Sequence, residues 1–214
     1  MECYPVNLLI AGKPCLVIGG GLVAERKVRS LVAVGAAVTV ISPQLTSGLT
    51  ELVERKQIFY VGRPYQSGDT AGYLLVICAA NNPEVNQLAS QEAQERNGLV
   101  NVVDAPETGN FSVPAKVARG ELLLTVSTGG RSPALSRRLR EQLAEEYGPE
   151  YGSYLELLAK ARQKVKTQLQ SPDERLWFWR KTLDDEILAL LRQGRTQEAE
   201  AKINDAIGCI GAKP

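Results

Sequence analysis

A short glycine-rich stretch near the N-terminus constrains the fold more than any other part of the sequence. An apolar, strand-like run, Pro14–Ile18, leads into three consecutive glycines, and a helix-like pattern follows over residues 22–34, before Gly35. The small residues over 19–24 have the spacing glycine-x-glycine-x-x-alanine. This spacing, between a strand and a helix, is a variant of the pattern that binds the pyrophosphate of a dinucleotide at a helix N-terminus.

Each small residue of this turn has its own expected task. Gly19 lets the chain leave the strand in a tight turn, Gly21 lets a pyrophosphate approach the backbone, and Ala24 lets the helix pack closely on the sheet. A glycine turn without a ligand is the alternative, and the strand and helix that flank the motif argue against it. The expected cofactor contacts in this stretch are Gly19, Gly20, Gly21, Leu22, Val23 and Ala24.

Strand-like and helix-like segments alternate through the first half of the chain. This alternation predicts the α/β class, a parallel sheet with helices on both faces, whose ligands bind beyond the carboxyl ends of the strands. The most apolar run, over 73–80, is expected to be a central strand, and Asn82 with Pro83 is typical of a helix start. The other predicted strands are 4–9, Ala37–Ile41, 57–61 and 99–103, and the other predicted helices are 49–56 and 83–97.

The strand ends at the ligand-binding edge supply further candidate contacts. The second strand usually ends in an acid that binds the ribose hydroxyls of NAD. Here no acid stands there, and no arginine for a 2′-phosphate, so serine or glutamine is the expected ribose partner and NAD is only slightly preferred over NADP. The additional cofactor contacts predicted at these ends are Ser42, Pro43, Gln44, Ala79, Ala80 and Asn81.

Asp104 follows the last strand of this region at the same edge. A carboxylate there could take a proton as a hydride leaves a neighbouring carbon, which makes Asp104 the candidate general base. The alternative is a loop aspartate that caps a turn before Pro106.

A second candidate anion site lies over 127–133, where two glycines, hydroxyl groups and an arginine precede a helix capped by Ser132 and opened by Pro133. With basic residues nearby, this site suits a ligand with several carboxylates. The alternative is a helix-capping turn with solvated arginines. The predicted substrate contacts are Lys116, Ser127, Thr128, Gly129, Gly130, Arg131 and Ser132.

The second half of the chain changes pattern. Two β-like runs precede the helix at Pro133, which is expected to end at Gly148. An apolar stripe at helical spacing then predicts a helix around 154–169. Beyond Pro172, the sequence predicts one helix over 173–192 and another over 196–207. The residues expected to point inward from the 173–192 helix are Leu176, Leu183, Ile187 and Leu190.

Composition excludes several kinds of chemistry. The chain has no histidine, which removes the commonest general base and transition-metal ligand, and no metal site is expected. The net charge of +1 gives no general attraction to nucleic acid or membrane. With no bilayer-length apolar run and no secretory signal, the protein is expected in the cytoplasm. Of the four scattered cysteines, Cys3, Cys15, Cys78 and Cys209, the second and third are expected to be small core residues.

Three stretches, 17–27, 101–106 and 127–133, resemble in this order the precorrin-2 dehydrogenase family, whose module also forms the N-terminal part of bacterial siroheme synthases. The resemblance covers about residues 4–190. It implies a Rossmann domain over 1–113, a dimerisation segment over 114–147 and a helical domain over 148–214, assembled as a homodimer. It also implies that NAD⁺ oxidises precorrin-2 to sirohydrochlorin, on the way to siroheme and in some organisms cobalamin.

The family's key aspartate falls on Asp104, and its polycarboxylate substrate gives the basic segment around Arg131 a purpose. Three alternatives stay open, and one of them is a stand-alone chelatase that inserts metal into sirohydrochlorin without any requirement for NAD. Some members also insert ferrous iron into sirohydrochlorin, and the same aspartate is proposed to serve both steps. A non-enzymatic NAD(H)-binding redox sensor, in contrast, would need the glycine turn but neither Asp104 nor the second anion site.

Overall fold

The computed structural model describes residues 3–169 and 171–210, except for the side chains of Cys209 and Ile210. Contacts group residues 4–113 into one compact unit, and Cys3 together with the described residues from 114 onward into a second. The expected separation of 114–147 from 148–214 stays a prediction.

The first unit is built on a five-stranded parallel sheet in the order β3-β2-β1-β4-β5. In the centre of this order, Val17 of β1 is paired with Val40 on one side and Ile77 on the other. This architecture confirms the predicted α/β class. The strands are β1 Pro14–Ile18, β2 Ala37–Ile41, β3 Phe59–Val61, β4 Leu75–Cys78 and β5 Leu99–Val102.

The helices of this unit are α1 Leu22–Val32, α2 Ser47–Glu54 and α3 Pro83–Glu95. Hydrogen bonds at the helix ends account for several of these boundaries. The Thr46 hydroxyl caps α2 and the Asn82 side chain caps α3. After α1, the Gly35 amide donates to the Val32 carbonyl and the Ala36 amide donates to the Leu31 carbonyl. These two hydrogen bonds form a Schellman motif, which requires the positive φ of Gly35. The helix stop predicted before Gly35 is therefore confirmed.

Apolar side chains cover both faces of the sheet. On one face, Val28 of α1 and Leu49 of α2 pack on β1 and β2. On the other, Ala89 of α3 packs on Leu16 and Val76. Both buried cysteines, Cys15 and Cys78, lie within these clusters as predicted, and burial raises the pKa of the Cys78 thiol to about 12.

The predicted lead-in strand over 4–9 is wrong. These residues form no strand, and Tyr4 and Leu9 are 89% and 91% exposed. Both edges of β1, the strand that these residues precede, are already paired with β2 and β4, so a lead-in strand has no partner edge beside it. Alternating apolar residues alone could not reveal that this position was occupied.

The second unit begins with an antiparallel hairpin, β6 Ala115–Arg119 and β7 Leu122–Val126, and continues as helices. Ser132 caps the first of these and Pro133 opens it, as predicted. The stripe predicted around 154–169 is also confirmed, because Tyr154, Leu157 and Val165 are buried in the core of this unit. The helices are α4 Pro133–Glu146, α5 Glu150–Gln168, α6 Pro172–Thr182, α7 Asp185–Arg192 and α8 Thr196–Ile210.

The single helix predicted over 173–192 is wrong, because the chain breaks between α6 and α7. The Asp184 side chain accepts from the amide of Glu186 and starts a new helix. The Tyr154 hydroxyl donates to the Thr182 carbonyl and accepts from the Asp184 amide at 3.3 Å, so both backbone groups at the break are satisfied. Of the four leucine and isoleucine residues predicted to point inward, Leu176 and Leu183 are instead 51% and 61% exposed.

Replacing Tyr154 by phenylalanine is expected to lower the free energy of unfolding by about 1–3 kcal/mol, because it leaves buried backbone groups at the α6–α7 break unpaired. Chemical denaturation followed by circular dichroism measures this loss. Tyr151→Phe is the matched control, since Tyr151 makes no side-chain hydrogen bond within the described ranges. Equal stability of the two variants would contradict the role assigned to Tyr154.

Candidate functional site

The glycine turn after β1 is held tightly against the loop that follows β4. Gly19 has φ +118°, and a Cβ there would lie 2.3 Å from the Ala79 carbonyl oxygen. The Gly19 amide donates to the Ile41 carbonyl at 2.9 Å, and the Ala79 amide donates to the Ile18 carbonyl at 2.8 Å. Both conformation and space therefore require glycine at position 19, in agreement with the tight turn predicted there.

The next two glycines face opposite surroundings. A Cβ on Gly20 would lie 1.9 Å from the Gln44 carbonyl oxygen and 2.7 Å from Ser42 Oγ, whereas a Cβ on Gly21 would meet nothing within 4 Å. Gly20 is thus needed for packing against the loop after β2, a role that spacing alone did not indicate. The open face at Gly21, at the N-terminus of α1, fits a pyrophosphate that approaches the backbone.

The loop over 42–46 has a fixed backbone. Ser42 Oγ donates to the Gln44 carbonyl at 2.8 Å, and the Tyr60 hydroxyl donates to the Ser42 carbonyl at 2.9 Å. Ser42 is buried and Gln44 is exposed, so Gln44 is the more accessible of the two side chains predicted to contact ribose. An open pocket of about 460 Å³ beside this loop is lined by Pro43, Gln44, Leu45, Thr50, Val53, Glu54 and Tyr60.

The loop over 79–81 is fixed by a residue that the sequence reasoning missed. Asn86, buried in α3, donates through Nδ2 to the Ala80 carbonyl at 2.9 Å and accepts from the Ala80 amide at 3.0 Å. The available signal was a polar residue one turn into a helix that packs on the sheet. Asn81 itself is exposed.

Two arginines at this end of the unit are already paired. Arg63, two residues past β3, forms two 2.7 Å hydrogen bonds with the Asp69 carboxylate, and this pairing lowers the pKa of Asp69. Arg29 donates to Glu25 Oε1 at 2.9 Å through Nε. Neither guanidinium is left free to bind a phosphate.

Asp104 lies two residues beyond β5, at the same carboxyl edge as the glycine turn. The Val103 amide donates to the Cys78 carbonyl at 3.1 Å, which continues the sheet pairing up to the residue before it. The Asp104 side chain is exposed and makes no hydrogen bond or ion pair within the ranges described. A free carboxylate in this position is available to accept a proton.

Buried polar contacts anchor the strand beneath Asp104. Asn101 Nδ2 donates to the Phe111 carbonyl at 3.1 Å, and Lys27 Nζ donates to Asn101 Oδ1 at 3.4 Å. Burial, with a smaller contribution from Arg26, lowers the pKa of the Lys27 ammonium. These contacts join α1, β5 and the segment that leaves the first unit.

The second candidate anion site, over 127–133, belongs to the second unit. Gly129 and Gly130 have positive φ, as a tight turn requires. Several amides are already bonded inside the loop: that of Gly129 donates to Ser127 Oγ at 3.2 Å and that of Ser132 donates to Thr128 Oγ1 at 3.1 Å. Fewer backbone donors therefore face outward than the sequence alone suggested.

The arginines of this segment divide into paired and unpaired groups. Arg119 donates to the carbonyls of Ala144 and Tyr147 and so holds the end of α4. Arg137 and Arg140 both bond to the Glu141 carboxylate. Three cations have no ion pair or side-chain hydrogen bond within the described parts of the segment: Lys116, Arg131 and Arg138.

The structure describes the side chains of residues 3–169 and 171–208. No group of three or more cysteine, aspartate or glutamate side chains among them is placed to hold a metal ion. None of their helices has both the length and the apolar character needed to cross a bilayer.

The first unit defines a class of protein. Its parallel sheet carries a glycine turn after β1, an open backbone face at Gly21, and loops after β2 and β4 fixed against that turn. This is the arrangement of a dinucleotide-binding α/β protein.

Comparison with known proteins narrows the class. Residues 6–115 match the family described as putative NAD(P)-binding, residues 119–146 match the sirohaem biosynthesis protein central family, and residues 150–207 match the sirohaem synthase dimerisation region. The chain belongs to the family of precorrin-2 dehydrogenases and siroheme synthase N-terminal modules, and its first unit is an NAD(P)-binding domain. The resemblance noted in the sequence is thereby confirmed.

Individual relatives agree with this assignment. A siroheme synthase of Methylobacillus flagellatus is 38% identical over 99% of the chain, and one of Vesicomyosocius okutanii is 34% identical over 95%. The chain spans only 45% and 44% of the lengths of these two relatives. A solved structure, that of SirC, precorrin-2 dehydrogenase, matches with a TM-score of 0.79 and 27% identity, over 95% of this chain and 100% of that one.

Proposed function

We propose that this protein is an NAD-dependent dehydrogenase that oxidises precorrin-2 to sirohydrochlorin in siroheme synthesis. The observation that carries the proposal is the match to SirC over 95% of this chain and 100% of that one, together with a glycine turn open at Gly21. The siroheme synthases among the relatives support the same pathway.

The residues that would hold the cofactor are those of the turn at 19–24 and of the loops at 42–44 and 79–81. When bound, its nicotinamide supplies the hydride acceptor. The α1 amides beside Gly21 would donate hydrogen bonds to the pyrophosphate, and Gln44, in the loop after β2, would bind the ribose. Because Arg63 and Arg29 are paired with carboxylates, a 2′-phosphate would find no free guanidinium from them, which supports NAD over NADP.

In the proposed reaction the substrate loses one hydride and one proton, so that precorrin-2 and NAD⁺ give sirohydrochlorin, NADH and H⁺. Asp104 accepts the proton from the carbon skeleton and releases it to water, to which it is exposed. The chain's own residues contribute mainly by positioning the reactants and by matching charge.

In the second unit, we assign the binding of substrate carboxylates to Arg131 and Lys116, with the hydroxyls and amides over 127–132. Their guanidinium and ammonium groups are unpaired within the described segment, which leaves them available for anions. Arg138 is a further cation of this kind.

A homodimer is part of the proposal. Leu135 and Leu139, on α4, are 46% and 37% exposed, and together they form a partly exposed apolar helix face in the single described chain. The match of 150–207 to a dimerisation region supports the same assembly. Analytical ultracentrifugation would measure it.

Anaerobic incubation of the purified protein with precorrin-2 and NAD⁺ tests the proposed reaction. The expected result is conversion of the precorrin-2 absorbance to that of sirohydrochlorin with one NADH formed per turnover, and slower conversion with NADP⁺. Binding of NADH without any oxidation of precorrin-2 would overturn the proposal and favour a redox sensor. A second incubation with ferrous ion measures metal insertion separately.

A further inference from the structure

The candidate cofactor site has no acidic residue at the end of β2, but it has one on α1. Glu25 lies in the first turn of α1, and its side chain is only 17% exposed. Oε2 accepts a 2.6 Å hydrogen bond from the Thr46 hydroxyl, and Oε1 accepts from Arg29. One carboxylate therefore joins the helix after the glycine turn to the far end of the loop after β2.

Thr46 is the other half of this connection. Its amide donates to the Gly20 carbonyl at 3.0 Å, and its hydroxyl, besides donating to Glu25, accepts from the Leu49 amide at 3.3 Å as the cap of α2. The Gln44 carbonyl of the same loop lies so close to Gly20 that it leaves no room for a Cβ there. The loop is thus fixed at both ends, against the turn and against α1.

The electrostatics of the contact favour the charged form of the Glu25 carboxylate. The Thr46 hydroxyl and Arg29 hold the pKa of Glu25 below its usual range. Hydrogen bonds to an ionised acceptor are stronger than those between neutral groups, so the connection remains rigid at neutral pH.

We propose that Glu25 and Thr46 form a brace that positions the loop over 42–46 for the dinucleotide, with Glu25 acting as a positioning residue that never touches the reacting atoms. In many proteins of this fold, an acid at the end of the second strand binds the ribose hydroxyls directly. In this chain the acid Glu25 instead holds the loop over 42–46, which would contact the ribose. The brace lowers the cost of ordering the loop when the cofactor binds. This inference rests on the proposed use of the site for NAD.

Gly48 offers a test that separates positioning from stability. A Cβ on Gly48 would lie 2.0 Å from Glu25 Oε1 and 2.6 Å from Arg29 Nη2, both at the ends of flexible side chains. Gly48→Ala would therefore displace the carboxylate while it improves the helix propensity of α2. A merely structural role for Glu25 predicts no loss of cofactor affinity from a variant that is as stable as the original.

A second pair of variants changes the other partner. Aspartate at position 46 still caps α2 but repels Glu25, whereas serine keeps the hydroxyl that both caps and donates. Thr46→Asp is thus expected to break the brace and Thr46→Ser to preserve it. Glu51→Ala is the matched control, since it removes an exposed ion pair with Arg55 on the same helix, away from the loop.

The experiment measures the NADH dissociation constant by nicotinamide fluorescence and the unfolding temperature of each variant. Gly48→Ala and Thr46→Asp are expected to bind NADH about tenfold more weakly, the change that loss of one hydrogen bond to a charged group produces. Thr46→Ser and Glu51→Ala should bind as the original protein does. In turnover, the KM for NAD⁺ of Gly48→Ala should rise while kcat stays within twofold.

NADH affinity of Gly48→Ala within twofold of the original would overturn the brace, and so would a kcat that falls as much as KM rises. If Thr46→Asp does not fold, Gly48→Ala alone decides. Failure of the proposed function can be distinguished from failure of the brace, because NADH binding is measured without precorrin-2. If NADH binding depends on the brace as expected but the protein does not oxidise precorrin-2, the proposed function is wrong and the inference about the brace still holds.

Discussion

Replacing Asp104 by asparagine is expected to slow precorrin-2 oxidation by a factor of about 10²–10⁴, the contribution that a positioned general base makes. The side chain keeps its size and loses only its ability to accept the proton. Because Asp104 is exposed and makes no hydrogen bond or ion pair within the described ranges, the substitution should not change the unfolding temperature. Steady-state kinetics under anaerobic conditions and a thermal melt measure the two effects.

NADH binding and a neighbouring carboxylate provide the controls for this prediction. Asp104→Asn should bind NADH with unchanged affinity, since the proposed cofactor contacts are in the turn and the loops after β2 and β4 and do not include Asp104. Glu107→Gln removes another exposed carboxylate from the short helical turn Pro106–Thr108, only three residues away, and should keep full activity. An Asp104→Asn enzyme with undiminished kcat would rule out the proton-accepting role.

Adding one methyl group at Gly20 or at Gly21 is expected to give opposite results. Gly20→Ala places a carbon 1.9 Å from the Gln44 carbonyl, so the loop after β2 must move, and the free energy of unfolding should fall by about 1–3 kcal/mol. Gly21→Ala meets nothing within 4 Å and should unfold as the original protein does. Its methyl group instead occupies the open space proposed for the pyrophosphate, so NADH affinity should fall at least about tenfold.

Thermal unfolding and NADH titration of the two variants decide this comparison. In Gly20→Ala both stability and binding should decline, and in Gly21→Ala binding alone. Undisturbed NADH affinity in Gly21→Ala would place the cofactor elsewhere than at the open face of the turn. Normal stability in Gly20→Ala would mean that the loop over 42–46 yields more easily than its hydrogen bonds imply.

Most of the fold could be predicted because its signals are local. The strand Pro14–Ile18 and the caps at Asn82 and Ser132 depend on side chains that act within a few residues of themselves. The α6–α7 break was not predictable in this way, because it is fixed by the hydroxyl of Tyr154, about thirty residues earlier in the chain. The helical spacing of apolar residues continues through the break, and it therefore wrongly predicted that Leu183 points inward.

The candidate site shows the same division. Spacing indicated Gly19 and Gly21, and strand order brought Asp104 to the same edge. Spacing could not show that Gly20 faces the Gln44 carbonyl, or that Asn86 holds Ala80. The sequence also overstated the free positive charge near Arg131, since its neighbours Arg137 and Arg140 bond to a glutamate one turn or less away.

The sequence by itself determined the class of this protein, because a glycine turn between a buried strand and a helix has few other uses and its residues are contiguous. It also located the one carboxylate, Asp104, that the proposed chemistry needs. Only the tertiary structure decided how the cofactor loops are held. Glu25 and Thr46 are 21 residues apart and Lys27 and Asn101 are 74 apart, and such contacts exist only once parallel strands have brought distant segments to one edge of the sheet.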